Sequence, residues 1–193
     1  MKIREFHCIM PIANVTSVLE HGLLSYELAS KLEHRSIAMP EIQDRRDQVQ
    51  VPGGLRLHRY ANLYLNARNP MLFKRRHEAQ SLCILRVSTE ARHLQGAVLT
   101  DCNASSRYVR FLSIDQASEI DLGATYSNDW RHPDDRIAYF RHRSQMCAEF
   151  LVPDRVPPDF IQGAYVVDRA AKHRLLSAGF PHPITVNGEL FFS

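Results

Sequence analysis

The sequence lacks most of the features that announce a functional class. Its four cysteines, Cys8, Cys83, Cys102 and Cys147, are widely separated and form no CxxC pair. That argues against a zinc ribbon or a disulfide framework and for reduced, mostly buried thiols; no metal site is expected. There is no GxGxxG fingerprint and no alternation of strands with helices, so a doubly wound nucleotide fold is not expected. No apolar run approaches membrane-spanning length, and the opening "MKIREFHCIMPI" has no signal-peptide core. A cytoplasmic protein without a membrane partner is the expectation. Repeats and low-complexity stretches are missing. Neither charge sign dominates: 24 Lys+Arg against 21 Asp+Glu leave a net +3, a weak hint of a polyanionic partner.

The 193 residues, 45% of them hydrophobic, suit a single domain over residues 1–193 with a real core. Arg clearly outnumbers Lys, which favours bidentate contacts to phosphate or carboxylate. Ile3 to Ile9 reads as a strand closed by Pro11, and "NVTSVLEHGLLS" as a helix capped by Asn14 and ended by Gly22. "SIAMPEIQDRRDQVQVPGG" reads as a polar helix or loop before a turn at Pro52-Gly53-Gly54, and Asn62 to Asn66 as a strand broken off by Pro70. "SLCILRVS" is the clearest buried strand, "GAVLTDCNASS" a strand running into polar residues, and "HPDDRIAYFRHRSQMC" a helix. Further strands fall near 108–112, 148–152, 161–167 and 184–191. Short strands outnumber helices, which predicts an α+β domain with two small antiparallel sheets.

One acid stands out. Glu149 lies between Cys147-Ala148 and the apolar run Phe150-Leu151-Val152, and a desolvated carboxylate must be paired or used. It can be a salt-bridged structural acid, with Arg141 and Arg143 upstream. It can equally stabilise positive charge developing on a sugar carbon. No second acid stands at a set spacing, so a two-carboxylate hydrolase fits less well than cleavage of a bond whose leaving group departs neutral, as nicotinamide leaves NAD+. Other candidates carry ordinary structural readings too. His7, at the end of the first strand, can reach a ribose hydroxyl or simply be a satisfied core histidine. Tyr64 can stack on a nicotinamide ring or fill core; Arg45-Arg46 can hold a polyanion or be a solvated pair. Thr100 to Ser106, "TDCNASS", can line a substrate groove or form an Asx-type turn.

Taken in order, "FHCIMPIANVTSVLEHGLLS", "IQDRR", "VPGG", "YANLYLNARNPML", "TDCNASS" and "CAEFLVPDRVPPDFI" resemble the DarT-type DNA ADP-ribosyltransferases, the toxin halves of bacterial toxin–antitoxin pairs. The resemblance covers residues 5 to about 167, and "ARNPML", "TDxNAS" and "AEFLV" are its most specific pieces. It implies an ADP-ribosyltransferase fold with NAD+ as ADP-ribose donor in a cleft between two sheets. It places the catalytic glutamate at Glu149, after a substrate-recognition loop over residues 125–145, and the catalytic arginine at Arg46, with Arg45 as fallback. His7 and Asn14 fall on the NAD+-binding N-terminal motif, with Cys8, Gly22 and Tyr64 as further cofactor contacts. Where the family commonly has His-x-Thr, this chain has His7-Cys8-Ile9; if Cys8 stands in place of the histidine, Met10 takes the threonine's position. The implied acceptor is a base of DNA, mostly single-stranded, thymine or guanine, and the departure at the N-terminus leans towards guanine. A basic track with stacking aromatics would hold the strand, for which Arg75, Arg76, Asn103, Ser105, Arg107 and Arg143 are candidates. The implied partner is an antitoxin with ADP-ribosyl-hydrolase activity.

Overall fold

The computed structural model describes residues 2–193. In chain order its elements are β1 (Phe6–Pro11), α1 (Val15–His21), β2 (Leu23–Leu24), α2 (Tyr26–Ala29), α3 (Pro40–Asp47), β3 (Tyr60–Tyr64), α4 (Pro70–Lys74), β4 (Leu82–Val87), β5 (Val98–Thr100), β6 (Phe111–Leu112), α5 (Leu122–Thr125), α6 (Arg136–Gln145), β7 (Glu149–Pro153), β8 (Arg155–Val156), β9 (Ile161–Val166), α7 (Arg169–Ser177) and β10 (Ile184–Val186), with short 3-10 turns between them.

The α+β class stands, but the sheets differ from the expectation of two separate antiparallel ones. Eight strands form one hydrogen-bonded sheet in the order β10-β9-β4-β1-β3-β7-β5-β6, and β2 with β8 make a small second ladder. The large sheet nevertheless falls into two four-stranded halves. β1 pairs β4 along its whole length, from Phe6 opposite Val87 to Pro11 opposite Leu82, and β3 pairs β7 from Tyr60 opposite Pro153 to Tyr64 opposite Glu149. Between β1 and β3 the register holds only His7 opposite Tyr64. That seam is where the pairing is sparsest. β10 lies parallel to β9, which the antiparallel expectation also missed.

Local sequence explains most elements. β4 is buried on both faces apart from Arg86, as its continuous apolar run requires. Gly22 ends α1 at φ +84, and any Cβ there would collide with the Val156 carbonyl, so only glycine fits. The core of the main cluster is knit by Phe6 stacked on Phe150 across the seam, ring centroids 3.9 Å apart. Burying such a ring contributes about 1.5–3 kcal/mol. Two segments were misjudged. α7, which seats Ala171 and Leu175 in the core, was not anticipated, although Asp168 caps it through the Ala171 N–H at 2.7 Å. The strand expected over 184–191 stops at Val186, and residues 189–191 turn to bury Phe191.

Candidate active site

Glu149 opens β7 and stands in one cross-strand row with Tyr64 and His7. Its backbone is set first. The Glu149 N–H donates to Thr100 Oγ1 at 2.9 Å, and that hydroxyl donates to the Cys102 carbonyl at 2.6 Å, tying β7 to the turn after β5. The carboxylate is fully buried. Both its oxygens lie 3.0 Å from Arg46 Nη1, and Oε1 also accepts the Ala104 N–H at 3.0 Å. These partners offset the cost of taking a charge out of water, and removal of either charge would leave the other stranded.

Arg46 reaches Glu149 because of α3. The helix begins at Pro40, a favoured first position, has no apolar face, and buries Arg46 alone. Consecutive helical residues point about 100° apart, so Arg45 turns outward when Arg46 turns in. It is Arg46, not Arg45, that pairs with Glu149.

A cavity of about 620 Å³ opens beside the pair, lined among others by Cys8, Arg45, Arg46, Asn62, Tyr64, Lys74, Asn103, Phe140 and Arg143. Glu149 lies directly behind Arg46 and does not itself reach the wall. A smaller cavity of about 160 Å³ is lined by Cys8, Met10, Asn14, Gly22 and Asn62 among others. Cys8 and Asn62 line both, so the two cavities adjoin and together form the cleft. Burial, then the Glu149 charge, pushes the Tyr64 phenol well above its ordinary range, so Tyr64 meets the cleft as a neutral ring. Burial likewise pushes the Cys8 thiol up to about 12 and, with Glu149 adding to it, Cys147 to about 12; neither is a nucleophile.

The remaining candidates divide. His7 lines neither cavity. Successive strand side chains point opposite ways, so Cys8 and Met10 share one side of β1, and Ile9, which also lines the larger cavity, shares the other with His7. The His7 Nε2 lies 3.1 Å from Glu5 Oε1, in a cluster where Glu5 also accepts from Arg86 at 2.8 Å and Tyr165 at 3.0 Å. In the alternative register, Cys8 for the histidine and Met10 for the threonine, both positions line the cavities; in the first, only Ile9 does. Asn14 was expected as a helix cap and cofactor contact. Its side chain makes no capping bond, because both ends of its amide are bound to the backbone of Arg35, at 2.9 and 3.0 Å. It thereby holds the irregular stretch 31–39 beside the cleft.

Among the expected DNA contacts, Asn103 and Arg143 line the cavity and Arg107 is exposed outside it. Ser105 is spent on an Asx-type turn, its N–H and Oγ donating to Asn103 Oδ1 at 2.9 and 2.7 Å. Arg75 and Arg76 line nothing: Arg75 donates to Glu78 at 2.9 Å and the Ile37 carbonyl at 2.6 Å, and Arg76 lies over the Phe73 ring at 4.1 Å. Of the three adjacent cations Lys74, Arg75 and Arg76, only Lys74 lines the cavity. The basic stretch "FKRRHE" and the segment "WRHPDDRIAYFRHR" were both candidates for a DNA track, but neither Lys74 nor Phe140 was singled out within them, although Phe140 precedes Arg143 by three residues on α6 and so shares its face. The Ala104 N–H carried no side-chain signal at all.

A sheet thinly paired at one seam, with a buried strand glutamate held by a helix-borne arginine at the head of a cleft, is the architecture of an ADP-ribosyltransferase. A family model described as "ssDNA thymidine ADP-ribosyltransferase, DarT" matches residues 6–192, and the chain belongs to that family. It is 30% identical to a DNA ADP-ribosyl transferase of Thermus aquaticus over 91% of this chain and 82% of that one. It is 28% identical to a DNA ADP-ribosyl transferase-DNA ADP-ribosyl glycohydrolase fusion protein of Thermosipho africanus, over 92% of this chain but only 46% of the fusion, so it spans about half of that relative. The solved structure of Thermus sp. 2.9 DarT in complex with ADP-ribosylated ssDNA superposes with a TM-score of 0.84 at 25% identity, covering 97% of this chain and 96% of that one. Among the described residues no helix is long and apolar enough to cross a membrane, and no cluster of side chains suits a metal ion.

Proposed function

We propose that the protein transfers ADP-ribose from NAD+ to a base of single-stranded DNA, as the toxin of a pair whose antitoxin is an ADP-ribosyl hydrolase acting in the same cytoplasm. The observation that carries this reading is the fully buried Glu149, with both oxygens on Arg46 and one on the Ala104 N–H, at the head of the cleft. The cleft suits the donor: it passes a neutral aromatic at Tyr64 and carries Arg45, Lys74 and Arg143 for a diphosphate or a strand. Bound NAD+ supplies an ADP-ribosyl group whose nicotinamide leaves as a neutral molecule. The chain therefore needs a negative charge near the sugar and no general acid. Glu149 provides it once Arg46 turns aside, while the Ala104 N–H and Thr100 keep the carboxylate's root in place. The Arg46 side chain is long enough to swing without moving α3.

The Thermosipho relative joins transferase and glycohydrolase in one chain, which supports a hydrolase partner here. The family description names thymidine, so the lean towards guanine finds no support, and thymidine is the first acceptor to test. The decisive experiment is mass spectrometry of nucleosides from single-stranded DNA incubated with protein and NAD+. An added ADP-ribosyl mass on thymidine or deoxyguanosine supports the reading. Labelling of RNA or protein alone moves the acceptor, and failure to release nicotinamide leaves a nucleic-acid-binding module.

A further inference from the structure

The "ARNPML" segment touches the cleft only at Pro70 and Met71, and nothing above gives Asn66 or Arg68 a task. Their bonds run elsewhere, to the stretch that leads into α6. Asn66 is buried, and its Nδ2 donates to the Thr125 carbonyl at 2.8 Å while its Oδ1 accepts the Arg68 N–H at 2.9 Å. Asn69 Nδ2 donates to the Asn66 carbonyl at 2.8 Å and its Oδ1 caps α4 through the Leu72 N–H at 3.0 Å, so the segment is internally rigid. Arg68 Nη1 donates to the Asn128 carbonyl at 2.9 Å, its Nε to the Glu189 carbonyl at 3.2 Å, and its guanidinium lies 4.1 Å from the centre of the Phe192 ring. Trp130 then packs edge-on against Phe73 at 5.5 Å and Phe192 at 6.0 Å. The far end of the stretch is tied to α6: His132 Nε2 lies 2.9 Å from His142 Nδ1, and His142 Nε2 lies 3.1 Å from the Ala124 carbonyl.

We infer that Asn66 and Arg68 are positioning residues for the acceptor strand. They hold residues 125–130 at one end, and through them the register of α6, whose Phe140 and Arg143 form the cleft wall opposite Tyr64. The donor side, built from β1, Asn14 and α3, shares none of these bonds. The inference rests on the proposed function, which leaves Arg143 to a diphosphate or a strand, and it gives this wall to the strand. Both contacts of Arg68 with the main chain need the forked guanidinium, which a lysine cannot reproduce.

Trp130 is the chain's single tryptophan, so acrylamide quenching of its fluorescence reports the anchor without ambiguity. In Arg68→Ala, Trp130 should become more accessible to quencher and transfer to single-stranded DNA should fall by about tenfold or more in kcat/KM, as a displacement of about 1 Å at a reacting centre does. NAD+ hydrolysis without DNA should stay close to wild type. Arg68→Lys should lie between, and it carries the test if the alanine variant does not fold. Unchanged quenching in both variants overturns the inference, and so does a parallel fall of hydrolysis and transfer. If the wild type releases nicotinamide but labels no DNA, the acceptor reading falls, while the quenching still decides whether Arg68 holds the loop.

Discussion

Replacing Glu149 by glutamine keeps the shape of the side chain and its bond from the Ala104 N–H, but removes the charge facing Arg46. The side chains are 0% and 7% exposed, so solvent does not screen the loss. Breaking a buried pair by removing one partner costs about 3–5 kcal/mol. At roughly 2–4 °C per kcal/mol for a chain of this size, Glu149→Gln should melt at least ~6 °C below wild type in a thermal scan. Nicotinamide release in the presence of DNA should fall by at least ~10²-fold, the scale of losing one preorganised electrostatic stabiliser. The two effects separate in a cycle with Arg46→Met. Removing both charges takes away the stranded guanidinium, so the double variant should regain most of the melting temperature lost by Glu149→Gln and none of the activity. A glutamine variant with wild-type melting would show that the pair is not buried as described. Near-normal transfer by a folded Glu149→Gln protein would refute the electrostatic role itself.

Thr100→Val preserves volume but leaves the Glu149 N–H and the Cys102 carbonyl without partners; we expect a loss of about 1–3 kcal/mol in denaturant unfolding, and equal stability would show that water replaces the hydroxyl. Arg75 and Arg76 are committed to Ile37, Glu78 and Phe73, so their joint replacement by alanine should leave the salt dependence of single-stranded DNA binding unchanged. Arg143→Ala should flatten that slope by roughly 0.7 if it meets one phosphate; the opposite pattern in a salt titration would move the DNA track to the outer face of α4. Glu5 sets a pH dependence: burial works to raise its carboxyl, but His7, Arg86 and Tyr165 outweigh it and hold it at about 2, below the ordinary 4.5. A depressed folded pKa stabilises above pH 4.5, and that contribution is lost as pH falls towards 2. Unfolding free energies of Glu5→Gln between pH 5 and pH 2 should therefore fall less steeply than those of the wild type, and parallel curves would remove Glu5 from the account.

The sequence by itself determined what depends on neighbours along the chain. The apolar run of "SLCILRVS" could only be a buried strand, Gly22 could only end a helix, and a lone acid before Phe150-Leu151-Val152 had to be paired or used. The order of its motifs carried the family, and with it the ADP-ribosyltransferase fold. The Asp168 cap of α7 was equally readable and went unread. What only the tertiary structure decided are choices between adjacent residues and between partners far apart in sequence. On β1 the fold commits His7 to Glu5 and leaves the adjacent Cys8 to line both cavities. A step of one along α3 separates buried Arg46 from exposed Arg45, and the partner that makes the difference, Glu149, lies 103 positions away. The same holds for Arg75, whose charge looked free for DNA until the chain folded the Ile37 carbonyl against it. Local periodicity places a residue on an element; which neighbour satisfies it is settled only when burial forces each polar group to find a partner.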